Sequence, residues 1–133
     1  MDWQTRRTVR ERADDRCECC RLRQEHAPLW RHQIEHIVPR KHRGTDDLTN
    51  LAWACVRCNL GKASNLSGRD ADTGEIVPLF DPRKQTWDDH FAYEGAEIIG
   101  LTATGRVTVE VLNMNEPRRL ALRQELLENG ELD

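Results

Sequence analysis

Two Cys-x-x-Cys pairs, Cys17/Cys20 and Cys55/Cys58, enclose the run Ile34-Glu35-His36-Ile37-Val38-Pro39-Arg40. Each Cys-x-x-Cys turn can present two sulfurs to one ion, and two such turns complete a closed tetrahedral zinc site. Within that staple, His36 is a side chain that can take a proton from water near neutral pH. Glu35 beside it, and the amide oxygen of Asn59 after the second pair, are hard ligands suited to Mg²⁺ or Mn²⁺. Such an ion polarises a phosphate and supports a leaving oxygen. Together these groups could hydrolyse a phosphodiester.

The spacing adds detail. Cys20 and Cys55 are separated by 34 residues, more than the ~15–20 of a simple zinc ribbon. The extra length must hold structure, and it holds the Glu35-His36 run. Cys19 is a fifth thiol inside the first turn; the x-x spacing favours Cys17 with Cys20 and leaves Cys19 spare. Reduced, buried cysteines without metal are the bland alternative. Adjacent strand residues point to opposite faces, so Glu35 and His36 share a site only at a strand end. Strict alternation would instead group His32, Ile34 and His36, which keeps His32 open as a ligand.

Elements that could position these groups can be read on either side of them. A short Arg-rich helix fits residues 3–16, with Val9 and Ala13 four apart. Gln33 to Val38 is a strand, rich in β-branched residues and ended by Pro39, which lacks an N–H for the ladder. A basic loop follows over residues 39–47, then a returning strand from Leu51 to Ala54, then one or two helical turns over residues 59–65. Residues 67–87 look irregular. Val107, Val109 and Val111 alternate with Thr108 and Glu110, which predicts a strand over 106–112, paired with one over 97–102. A closing helix runs from Pro117, suited to a first turn, towards Gly130, suited to an end. The expected fold class is α+β, with a core unit over 1–66 and an extension over 67–133 packed on the same domain.

Charge divides along the same boundary. The chain of 133 residues carries 20 Lys and Arg against 23 Asp and Glu, a net charge of -3. Residues 1–66 hold 13 of the basic groups and 9 of the acidic ones. The half with the cysteines is therefore basic, a local footprint for phosphate. Arg40, Lys41, His42 and Arg43 lie beside His36 and read either as phosphate contacts or as a solvated loop. The four tryptophans are scattered and read as packing. The start shows no apolar secretory run, so a cytoplasmic, reducing setting is expected. Paired cysteines there are metal ligands before they are disulfides.

Glu35-His36-Ile37-Val38-Pro39, then Asn50-Leu51, then Cys55-x-x-Cys58-Asn59-x-x-Lys62 resembles the HNH endonuclease family. It is most similar to members with two zinc-knuckle pairs around a ββα-metal core. The resemblance covers roughly residues 16–66. It implies that His36 is the general base and that Glu35 and Asn59 hold the catalytic divalent ion, Mg²⁺ or Mn²⁺. It implies that Asn50 pins the loop between the strands and that Lys62 lies near the phosphate. Asn59 stands where many members have histidine. The implied activity is metal-dependent hydrolysis of double-stranded DNA, leaving 5′-phosphate and 3′-hydroxyl ends. The rival reading is a zinc-stapled nucleic-acid-binding module without catalysis. Leu79-Phe80-Asp81-Pro82-Arg83 with Trp87, His90 and Phe91 resembles a tail in some stand-alone members, and no role follows from it.

Overall fold

The computed structural model describes all 133 residues, from Met1 to Asp133. Helix α1 (Trp3–Arg12) opens the chain, capped by Asp2, whose carboxylate accepts from the Thr5 amide at 2.7 Å. Strands β1 (Gln33–His36) and β2 (Leu51–Ala54) form an antiparallel hairpin in the register Gln33 to Ala54 and His36 to Leu51. Helix α2 (Val56–Lys62) follows directly, with Cys55 as its N-cap. The chain continues through hairpin β3 (Ser67–Arg69) and β4 (Ile76–Pro78), one helical turn α3 (Trp87–His90), and hairpin β5 (Phe91–Glu94) and β6 (Glu97–Gly100). Helices α4 (Ala103–Val111) and α5 (Pro117–Glu128) complete it. This is a small α+β fold of three two-stranded sheets. No helix is long and apolar enough to cross a membrane.

The hairpin is covered on both faces. Residues opposite one another in an antiparallel pair share a face, so Ile34 goes with Trp53 and His36 with Leu51. That face packs on α1, where Val9, Leu51 and Trp53 form a buried cluster against Ile34. The other face, with Gln33, Glu35, Ala52 and Ala54, meets α2 and the thiols. There the larger core joins Cys17, Cys20, Cys55 and Cys58 to Phe80, Phe91, Ile98, Val107, Leu112 and Met114. Side chains from before residue 66 and after it thus share one buried cluster.

Two differences from the sequence reading lie after residue 66. The segment expected to be irregular contains the β3–β4 hairpin. The strand expected over 106–112 is instead α4, and β6 pairs with β5 on its N-terminal side. Thr102 caps α4, accepting from the Gly105 amide at 3.0 Å. Val107 and Val111, four apart, both lie against Gly68 of β3, where an added Cβ would come within 2.6 Å and 2.9 Å of their methyls. Thr108 donates to the Thr104 carbonyl at 2.7 Å and accepts from the Phe80 amide at 2.9 Å. Capping and packing override the β preference of four β-branched residues.

Candidate active site

Three hydrogen bonds from one side chain shape the loop between β1 and β2. Asn50 Oδ1 accepts from the Val38 amide at 2.9 Å, and Asn50 Nδ2 donates to the carbonyls of Val38 at 3.0 Å and Thr45 at 2.8 Å. Inside this clasp the chain turns sharply. Arg43 adopts a left-handed conformation, φ 68°, and the Gly44 amide donates to the Pro39 carbonyl at 3.0 Å. A Cβ on Gly44 would stand 1.6 Å from the Val38 oxygen, so only glycine fits.

The clasped loop delivers Asp46 to His36. His36 Nε2 lies 2.8 Å from Asp46 Oδ1, and Arg40 donates to the same oxygen at 3.0 Å. These two bonds, His36 first, hold the Asp46 carboxyl below its usual range. An ionised carboxylate only accepts, so Nε2 must carry the hydrogen. Nδ1 is then the free base of the neutral ring. The His36 side chain is partly exposed, and Asp46 is exposed. Asp46 was no more than a loop residue in the sequence. Its signal would have been the Asn50 clasp, which fixes which loop residue comes back to the strand.

Glu35 takes the opposite face, as alternation requires. It is 4% exposed, Oε1 has no hydrogen-bond partner, and Oε2 lies 3.8 Å from Cys19 Sγ. Burial drives its carboxyl up to about 8, against the pull of the Lys62 ammonium. Asn59 Nδ2 donates to Gln33 Oε1 at 2.6 Å. Gln33 is two residues before Glu35 and on the same face. Lys62, one turn after Asn59, donates to the His36 carbonyl at 3.1 Å. Asn59 and Lys62 thus hold α2 along β1 on both sides of Glu35. Lys62 departs from the sequence reading. It is 5% exposed and committed to the β1 backbone, so it fixes α2 on the hairpin rather than offering a surface cation. Arg40, Lys41 and Arg43 are exposed, and His42 ties the loop to the Ser64 carbonyl at 3.1 Å.

An orphaned, buried carboxylate oxygen is costly unless something meets it. Glu35 Oε1 and the Asn59 side-chain oxygen, which accepts no hydrogen bond, are both hard-oxygen donors. Such oxygens suit a cation such as Mg²⁺, which takes one or two protein oxygens and completes its shell with water and phosphate.

The sulfurs form a separate centre. Cys17, Cys20, Cys55 and Cys58 are buried, with Sγ atoms all within 4.8 Å of one another. Cys20 and Cys55 are 3.7 Å apart, against about 2.0 Å in a disulfide. A tetrahedral ion with sulfurs at about 2.3 Å needs them about 3.8 Å apart. The cluster therefore has the donor set and size of a structural zinc site. The Cys20 amide lies 3.5 Å from Cys17 Sγ, and the Cys58 amide 3.4 Å from Cys55 Sγ. Cys19 lies outside the cluster, facing Glu35. Arg119 of α5, unmarked in the sequence, donates to Cys58 Sγ at 2.9 Å. Burial opposes its charge, but the Cys58, Cys20 and Cys55 sulfurs outweigh that and raise the guanidinium above its usual range.

The HNH endonuclease family model matches residues 17–65, from the first thiol turn to just beyond α2. The match takes in both thiol pairs, the hairpin and α2, so this stretch is similar to HNH endonuclease domains. No curated protein and no solved structure matches the chain.

Proposed function

We propose that the protein is a metal-dependent endonuclease that hydrolyses double-stranded DNA. The observation that carries this reading is the division of labour at the end of β1. His36 meets the surface with its tautomer set by Asp46, while its neighbour Glu35 keeps an unpartnered oxygen in the interior. His36 Nδ1 takes the proton from a water that attacks phosphorus. Asp46 holds the ring and stabilises the imidazolium that forms, as a carboxylate partner does for a catalytic histidine elsewhere. Glu35 and Asn59 would hold one Mg²⁺ or Mn²⁺. When bound, that ion stabilises charge on the phosphate and on the leaving 3′ oxygen. Exposed Arg40, Lys41 and Arg43 flank His36 and meet the DNA backbone, a contact class that positions without reading sequence. The four thiols hold structural zinc, which suits a reducing, cytoplasmic setting.

The ligand assignment is tested by metal titration of cleavage. Glu35→Ala and Asn59→Ala should each lower activity and raise the Mg²⁺ needed for half-maximal rate. The double variant should be little worse than the worse single, because groups acting on one ion are not additive. Asn59→His should stay active and shift its preference towards Mn²⁺, Co²⁺ or Ni²⁺, since imidazole suits those metals better than an amide oxygen. An unchanged Mg²⁺ requirement in Asn59→Ala would remove Asn59 from the site. Duplex binding without cleavage by the intact protein would favour the binding module instead.

A further inference from the structure

The α1 face of the hairpin carries a polar cleft that the hydrolytic site does not use. It holds about 370 Å³ between α1 and the chain entering β1. Three guanidinium groups line it, those of Arg6, Arg10 and Arg31. None of the three has a carboxylate within salt-bridge distance. Asp15, the cleft's one acid, is already engaged, accepting from Trp53 Nε1 at 2.9 Å.

The cleft is built rather than incidental. Arg6 donates to the His32 carbonyl at 3.1 Å and lies over the Trp53 ring, 5.0 Å from its centre. Its position is fixed while its remaining N–H groups are left over. His32 is fully buried on the cleft wall. Its Nε2 lies 2.8 Å from the Leu22 carbonyl, and its Nδ1 has no partner at all. Three guanidinium groups against one carboxylate leave the space net cationic, which an anion relieves. Planar guanidinium forks match phosphate oxygens better than most side chains do.

The cleft also lies on the His36 side of the hairpin. His32 packs edge-on against Trp53, which pairs with Ile34, while Leu51 beside it pairs with His36. His32, Ile34 and His36 therefore share one face. Four residues of strand at about 3.3 Å each separate His32 from His36 by roughly 13 Å.

We propose that Arg6, Arg10 and Arg31, backed by the buried His32, are a second phosphate site, which holds the DNA backbone on the same face of the hairpin as His36. This inference rests on the reading of the protein as a DNA endonuclease and deepens it. The α1 arginines set how the duplex lies across the hairpin, and the loop cations then seat the phosphate to be cut.

The test is the salt dependence of duplex binding, measured without added divalent cation so that nothing is cut. The variant is Arg10→Ala/Arg31→Ala, because both side chains are exposed and Arg6 is left to hold His32 and Trp53. A labelled duplex long enough to span both sites should bind on the order of tenfold more weakly at low salt. The slope of log affinity against log salt should fall by about 1.8, the worth of two phosphate contacts. Arg10→Lys/Arg31→Lys should restore most of the slope. His36→Ala should leave it unchanged, so loss of cutting and loss of this contact are separate readouts. Equal slopes in wild type and the alanine variant would overturn the site, whether or not the wild type cuts DNA. So would an arginine-dependent response to inorganic phosphate alone, or tighter arginine-dependent binding of RNA than of duplex DNA. A slope change in a protein that never cuts would uphold the cleft and defeat the nuclease reading.

Discussion

At the residue scale, Glu35 and His36 are neighbours with opposite environments, and the pleat of β1 is the cause. Burial holds the Glu35 carboxyl at about 8, so at neutral pH it is mostly protonated. A cation binds the carboxylate, so it must displace that proton. Cation affinity should therefore rise with pH until about 8 and level off above it. Binding at neutral pH should release close to one proton per ion, read by calorimetry in buffers of different ionisation enthalpy. Glu35→Gln should abolish the release; release that persists would place the proton elsewhere. His36 depends on Asp46 instead. Asp46→Asn keeps the shape but can donate to Nε2, which invites the wrong tautomer. Cleavage should fall by about tenfold to a hundredfold, less than loss of the base itself. Duplex affinity should change little. Full activity in Asp46→Asn would show that His36 Nε2, not Nδ1, faces the water.

At the scale of elements, the β1–β2 loop depends on one side chain. Asn50→Ala removes three hydrogen bonds that close the loop, each worth roughly 1 kcal/mol net. Thermal unfolding should register about 3 kcal/mol of destabilisation. Cleavage should fall further than that implies, because Asp46 is no longer delivered to His36. The four thiols should keep their metal, which elemental analysis would check. Much of this unit was legible in the sequence. Cys-x-x-Cys spacing, β-branched residues ahead of Pro39, and the returning apolar run locate β1 and β2 within two residues, and place α2 three residues late at both ends. Asp46 was not legible, because its partner is set by a loop conformation that depends on Gly44 and Asn50 together. The burial of Lys62 was not legible, because neither the family resemblance nor helix spacing shows which face of α2 is covered. After residue 66 the alternation of valine and threonine suggested a strand. Val107 and Val111 satisfy a helical period equally well, and the Thr102 cap decides between them.

At the scale of the whole molecule, the thiols sit in the middle of the core rather than at its edge. Cys17, Cys20, Cys55 and Cys58 share one buried cluster with Phe80, Phe91, Ile98, Leu112 and Met114. Chelation should therefore unfold the protein cooperatively, not merely loosen residues 17–65. Each large apolar side chain contributes roughly 1.5–3 kcal/mol on burial, against a net stability of about 5–15 kcal/mol for a typical domain. A chain ending at residue 66 should accordingly fail to fold even with zinc, seen as loss of a cooperative thermal transition. Arg119→Ala removes the guanidinium from Cys58 Sγ. Zinc retention should weaken by about tenfold to a hundredfold, the usual effect of losing a group that supports a metal ligand. Competition with a chromogenic chelator would measure it.

The central claim is that His36 is the base of a phosphodiester hydrolase assembled by the hairpin and α2. Its most direct test is the cleavage rate of supercoiled plasmid in Mg²⁺ or Mn²⁺, wild type against His36→Ala, with zinc content and thermal unfolding matched between the two. The wild type should convert the plasmid to nicked or linear forms, and His36→Ala should be slower by about 10²–10⁴-fold. Cleavage by His36→Ala near the wild-type rate, or no cleavage by a zinc-loaded wild type, would contradict the account.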